Sequence, residues 1–244
     1  MISSKDNPKF KGWLKLKQKK FRKQEQLFLV EGEHLVIEAI RANLVVDVLL
    51  CEGIDFDHEG SVTYLSKPLF EKLTSTMTSA GIMAVCQMVG KEIEAWNRLL
   101  LVDNVQDPGN LGTLIRSALA FGFDGIVMNE TTVDVYNEKV VRATQGAMFQ
   151  LPIKVTDLVH YITDLHKIGA VVYGAHLNTL AQKMENVPVS ESMAFIVGNE
   201  GVGISDEIMN LCTGSIIIEM SGAVESLNVG VAGSILMQRF NGIK

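Results

Sequence analysis

The sequence predicts an α/β protein whose larger part is a mainly parallel sheet covered on both faces by helices. Three observations lead there. From residue 98 onward, short apolar runs of strand length alternate with segments in which apolar residues recur every three or four positions. Glycine-rich turns punctuate the junctions, as they do where a strand feeds a helix. The runs LLLV, GIVM and AFIV contain no polar residue, which suits strands buried on both faces.

Residues 1–90 read as a smaller α/β unit. Its expected elements are a basic helix from about Pro8 to Lys23, a strand at LFLVEG, a helix over EHLVIEAIRAN and a strand at VDVLL. A helix from Pro68 to Thr76 and a strand near IMAVCQMV complete it. The charged stretch KEIEAWN, residues 91–97, is the expected linker to a second domain over 98–244. There the expected order is strand LLLVDNV, helix Asn110 to Phe121, strand GIVMN, helix Glu138 to Phe149, strand LPIKV and a helix from Val159 to Lys167. Strands VVYGA and AFIVG follow, then a short helix after Ser205, strand SIIIEM and a closing helix from Asn228 to Phe240.

Composition narrows the functional classes. No run approaches the 18 or more apolar residues of a membrane helix, and the start MISSKDNPKFKGWLKLKQKK lacks the apolar core of a secretory signal, so a cytoplasmic protein without membrane contact is expected. Three separated cysteines, Cys51, Cys86 and Cys212, fit neither a disulfide framework nor a metal knuckle, and the five histidines show no metal-ligand spacing. No metal is expected. The net charge is −6, yet residues 1–23 hold nine lysines and arginines against the single acid Asp6. Such asymmetry suits a phosphate-seeking arm on an acidic body, although a solvated basic helix has the same composition. Lys9, Lys11, Lys15 and Arg22 are the RNA-binding candidates in this arm, with Arg142 further along.

Three glycine-rich turns concentrate the chemistry. In DPGNLGTLIRSALAFGF, Leu111, Leu114, Ile115, Ala118 and Leu119 form the buried stripe of a helix, and Arg116 lies off that stripe on the face of Gly109 and Gly112. A guanidinium near a helix start suits an anion such as an RNA phosphate. In AFIVGNEGVGIS, a buried strand runs into Gly198, Asn199, Glu200, Gly201 and Gly203, where a glycine backbone can bend and approach a ligand. In IIIEMSGAVESLNVGVAGSILMQRF, a loop containing Ser226 and Asn228 opens a helix rich in small residues, which therefore lies close to another backbone or a dimer seam.

Taken together, NLGTLIR, VRATQGA, IVGNEGVGIS and MSGAVESLNVGVAGSIL resemble the SpoU/TrmH family of RNA 2′-O-ribose methyltransferases of the SPOUT superfamily, over residues 97–244. NPKFKGWLKL and LFLVEGEHL resemble, more loosely, the L30e-like substrate-binding domain that often precedes it. The resemblance implies a C-terminal trefoil knot, S-adenosylmethionine (SAM) held in the knotted loops, and a homodimer with its active site near the interface. It places Asn110 and Arg116 in the first motif and Gly198, Asn199, Glu200 and Gly201 in the second. Ile218, Met220, Ser226, Leu227 and Asn228 take the third. Glu219 stands where similar sequences usually carry proline, which puts the SAM affinity in question.

In-line methyl transfer needs alignment and help for the hydroxyl to lose its proton. A guanidinium is effectively never deprotonated in a protein, so Arg116 is expected to grip phosphate and stabilise the nascent alkoxide. Asn110, Ser226 and Asn228 are expected to orient the ribose or this arginine, and Glu200 is the candidate proton acceptor. The expected substrate is ribosomal RNA, 23S first, with transfer RNA or a non-catalytic RNA-binding role as alternatives. A dinucleotide oxidoreductase is disfavoured, because GNEGVG reads GxxGxG where that fingerprint needs GxGxxG.

Overall fold

The structure, a computed structural model, describes residues 1–88, 90, 92–176 and 181–242. In chain order the elements begin with α1 (Pro8–Lys15), α2 (Lys19–Glu25), β1 (Leu27–Glu31), α3 (Glu33–Arg41), β2 (Val45–Cys51), β3 (Val62–Leu65), α4 (Lys67–Leu73) and β4 (Ile82–Gln87). They continue with β5 (Arg98–Val102), α5 (Pro108–Ala120), β6 (Gly125–Met128), α6 (Glu138–Thr144), β7 (Ile153–Val155), α7 (Leu158–Lys167) and β8 (Val171–Ala175). The last are β9 (Gln182–Lys183), β10 (Met193–Val197), α8 (Asp206–Met209), β11 (Gly214–Ile217) and α9 (Val229–Arg239). Two compact units result: Met1–Val89 with Asp134–Phe149, and Gly90–Val133 with Gln150–Lys244.

In the first unit, four strands pair in the order β1-β4-β2-β3, with β4 antiparallel to both neighbours and β3 parallel to β2. The single basic helix expected over Pro8 to Lys23 is two helices. Leu16, 3% exposed, is drawn into the core with Phe10 and Trp13 against Leu69, Phe70 and Leu73 of α4, and Gln18 is extended, so the helix restarts at Lys19. Asn7 caps α1 by accepting from the N–H groups of Lys9 and Phe10.

Residues 134–149 depart from the expected division at one cut near residue 90. They belong by sequence to the second stretch, yet α6 packs on β1 of the first unit. The cause is local chemistry. Buried Arg22 pairs with Asp134 and donates to the Leu16 carbonyl at 2.8 Å. The ring of fully buried Phe28 lies 4.8 Å from Tyr136 and 6.3 Å from Phe149. The helix expected from Glu138 to Phe149 stops at Thr144, where Gln145 turns left-handed, and Ala147–Phe149 forms a separate 3-10 turn.

The second unit carries a seven-stranded sheet in the order β7-β6-β5-β10-β8-β11-β9, every paired register of which is parallel. Leu99, Leu101, Ala194 and Ile196 pack on α7 and α8 through Leu158, Ile162, Leu165 and Ile208. On the opposite face Phe195 stacks on Phe240, 4.6 Å away. There α9 lies against α5: Ser117 and Ser234 share a hydrogen bond of 2.7 Å, and a Cβ at Gly233 would stand 2.3 Å from Leu114 Cδ2. The small residues of α9 are thus the consequence of a helix pressed onto a neighbour. A parallel sheet brings the carboxyl ends of its strands to one edge, and ligands bind there in open α/β sheets.

Candidate active site

Beyond the carboxyl ends of β8, β10 and β11 lies a cavity of about 420 Å³, within the range of small-ligand sites. All eight expected cofactor residues line it: Gly198, Asn199, Glu200 and Gly201 after β10, and Ile218, Met220, Ser226 and Leu227 after β11. Val197, Ile216, Ile217 and Ala232 add apolar wall, so the cavity joins an apolar lining to the glycine-rich loop after β10. Gly198 is dictated by close approach, since a Cβ there would lie 2.2 Å from the Gly203 carbonyl carbon and the Ile204 nitrogen. The loop folds back on itself: Asn199 and Gly203 exchange backbone hydrogen bonds of 2.9 Å, and the Asn199 Oδ1 accepts from the N–H groups of Gly201 and Val202.

The catalytic candidates from the three motifs meet in one directional chain. Asn228 Oδ1 caps α9 by accepting from Gly230 and Val231, which fixes its amide so that Nδ2 donates to Asn110 Oδ1 at 2.8 Å. Asn110 Nδ2 then donates to Glu200 Oε1 at 3.0 Å, and the same carboxylate accepts from the Asp107 and Gln106 N–H groups. Every donor faces an acceptor, so neither amide can flip without loss. Burial by itself would raise the Glu200 pKa, but the Asn110 amide and the backbone N–H groups of Glu200, Asp107 and Gln106 hold it below its ordinary value. Glu200, the expected proton acceptor, is thus engaged by donors from two other stretches of loop and helix start. The geometry of this carboxylate is that of a clasp between loops. Ser226 is exposed on the cavity wall.

Arg116, six residues beyond Asn110 on α5, is exposed, and its side chain makes no hydrogen bond or ion pair among the described residues. It does not line the cavity. Of the RNA candidates, Lys9, Lys11 and Lys15 are exposed on α1. Arg22 is corrected: 6% exposed and bound to Asp134 and Leu16, it ties the first unit together and has no surface to give to RNA. Arg142, half-buried, donates to Ser75 Oγ at 2.6 Å.

Several participants escape sequence reading. His176 and Ala175, at the end of β8, line the cavity, and their place after a parallel strand was the available signal. A partly buried relay behind the loops gave none: Asp103 accepts from Ser205 N–H and Asn129 Nδ2, Asn129 Oδ1 accepts from Asn104 N–H, and Asn199 Nδ2 donates to the Asn104 carbonyl. Glu219 pairs with Lys183 at 2.6 Å, both well exposed. Among the described residues no group of three or more His, Cys, Asp or Glu could hold a metal. Burial pushes the Cys86 and Cys212 thiols up to about 12, so neither is a nucleophile at neutral pH.

With this geometry in view, residues 97–238 match the model of the SpoU rRNA Methylase family, and residues 7–84 match the MRM3-like substrate binding domain. The chain belongs to the SpoU rRNA methylase family. It is 40% identical to the 23S rRNA (guanosine(2553)-2′-O)-methyltransferase RlmP of Bacillus subtilis, covering 99% of both chains. Among solved structures, a TrmH-family protein from Porphyromonas gingivalis superposes with a TM-score of 0.86 at 30% identity, covering 99% of this chain and 98% of the other. An AdoMet-bound rRNA methyltransferase from Sinorhizobium meliloti gives a TM-score of 0.86 at 25% identity, covering 98% and 95%.

Proposed function

We propose that the protein methylates a ribose 2′-hydroxyl of 23S ribosomal RNA with SAM as donor, as a cytoplasmic homodimer. The observation that carries this reading is the convergence of all eight expected cofactor residues on one cavity, in a chain 40% identical to a 23S rRNA 2′-O-methyltransferase. When bound, SAM supplies an electrophilic methyl group on a sulfonium.

The chain's own residues do the rest. Apolar walls from Ile216, Ile218 and Leu227 suit the flat faces of an adenine, while backbone groups at Gly198, Gly201 and Met220 suit its edges and ribose. The Glu200–Asn110–Asn228 chain holds the three motif loops in register. Arg116 grips the target phosphate and stabilises charge growing on the 2′-oxygen. Because Arg116 is exposed and outside the cavity of its own chain, a second protomer that brings it beside a cavity completes the site. The first ninety residues bind substrate, and residues 98–244 carry the methyltransferase. A C-terminal trefoil knot is part of the proposal, supported by a strand order that sets β8 between β10 and β11 while α9 returns to α5.

The test is methyl transfer from tritiated SAM to an unmodified 23S rRNA transcript, followed by nuclease digestion. Labelled 2′-O-methylguanosine is the expected product, because the Bacillus subtilis relative is named for a guanosine. Absence of label, or label on a base, would overturn the reading.

A further inference from the structure

The stretch 74–79 of the first unit has no part in the cavity, yet several polar groups hold it. Glu31, at the end of β1, accepts from the hydroxyls of Thr74 and Thr76 and from both the hydroxyl and the N–H of Ser75. Burial alone would raise this carboxyl's pKa, but these donors keep it below the ordinary value, so the anchor stays charged at neutral pH. Lys17 Nζ donates to the carbonyls of Lys72 and Thr74 at 2.9 and 3.2 Å, and Arg142 Nη1 donates to Ser75 Oγ at 2.6 Å. Three residues of loop are thereby pinned. The side chain that follows them, Met77, is fully exposed.

A pinned loop presenting one apolar side chain among hydroxyls invites an occupant, since a methionine in water forgoes the gain from burial. The surroundings point to the kind of occupant. The loop lies inside the stretch that matches a substrate-binding domain. Its basal tie, Lys17, belongs to the basic run that spans α1 and α2, and the Arg142 guanidinium has no partner beyond Ser75 among the described residues. Cations flanking a soft apolar prop suit a single-stranded nucleotide, whose phosphate takes the charges and whose base packs on the thioether.

We propose that residues 74–79 form an RNA-reading loop, in which Met77 packs on an unstacked base of the substrate while Arg142 and the neighbouring lysines hold flanking phosphates. This rests on the RNA methyltransferase reading above. The test compares the full-length wild type with Met77→Ala and Met77→Leu, using filter binding to an unmodified 23S rRNA transcript, tritiated methyl transfer, SAM titration and light-scattering mass. Met77→Ala is expected to weaken RNA binding roughly tenfold, the order of one base-stacking contact, with SAM affinity and mass unchanged. Met77→Leu, which keeps apolar volume, is expected to recover most of that loss. Equal RNA affinity in wild type and Met77→Ala overturns the loop assignment alone. A changed mass in Met77→Ala also overturns it, because the side chain would then be serving a second copy of the chain. A wild type that neither binds nor methylates the transcript removes the underlying RNA reading instead.

Discussion

At the scale of single residues, Arg116 and Glu200 show how charge divides the work. Arg116 is a permanent cation with no internal partner, so its removal should leave the fold and cofactor site intact. Arg116→Ala is expected to lower methyl transfer by about 10²–10³, the usual effect of deleting one transition-state donor, while isothermal titration with SAM stays within about twofold of wild type. Glu200 has the opposite character. Its folded pKa lies below the ordinary 4.5, so the stability its carboxylate contributes is complete above that value and is lost as pH falls through the lower folded value. The melting-temperature gap between wild type and Glu200→Gln should therefore be widest near neutrality and close on acidification below 4.5, as differential scanning fluorimetry would read. The residues around the cavity were legible because glycine-rich turns directly follow apolar strands. The clasp was not legible, because Glu200 meets Asn110 and Asp107 across 90 and 93 positions of chain. Arg22 misled for a related reason: a run of basic residues does not distinguish a cation facing water from one facing an aspartate that lies 112 positions away.

At the scale of elements, close approach sets the tolerances. Gly198 lets the loop after β10 return onto its own backbone, and the atoms a methyl group would meet belong to Gly203 and Ile204 and cannot rotate aside. Gly198→Ala is expected to cost about 1–3 kcal/mol of loop rearrangement, read as a rise of about tenfold or more in the SAM dissociation constant. Gly233→Val, by contrast, meets the tip of Leu114, and should lower the unfolding free energy read from urea denaturation by about 1–2 kcal/mol, with a smaller effect on cofactor binding. Long elements were read correctly from periodicity, including α5, α7 and the buried strands β5, β6 and β10. β3 and β9 were missed, because VTYL is half polar and QK is two residues long. Neither carries an apolar pattern that a reader could find.

At the scale of the whole molecule, the chain passes from the first unit to the second, back for residues 134–149, and out again. The returning segment brings Asp134 to buried Arg22 and rings to Phe28. Asp134→Ala leaves a buried guanidinium unpaired and is expected to destabilise the protein by about 3 kcal/mol, measurable by chemical denaturation. The loss should exceed that for the exposed pair Lys167–Asp164, where screening leaves little to lose. A change of pattern at residue 98 was visible in the sequence, and the chain does divide into two units. The return was not visible, because α6 reads locally like any other helix between two parallel strands.

That detour bears on how such enzymes could be recombined. A graft that moves only the front portion of this chain onto another family member, joined at a single point in the linker, would strip Phe28 of its aromatic cover and orphan Arg22. Chimaeras that preserve both must carry the short later helix along with the front portion, so new target preferences should be transplantable only in two pieces.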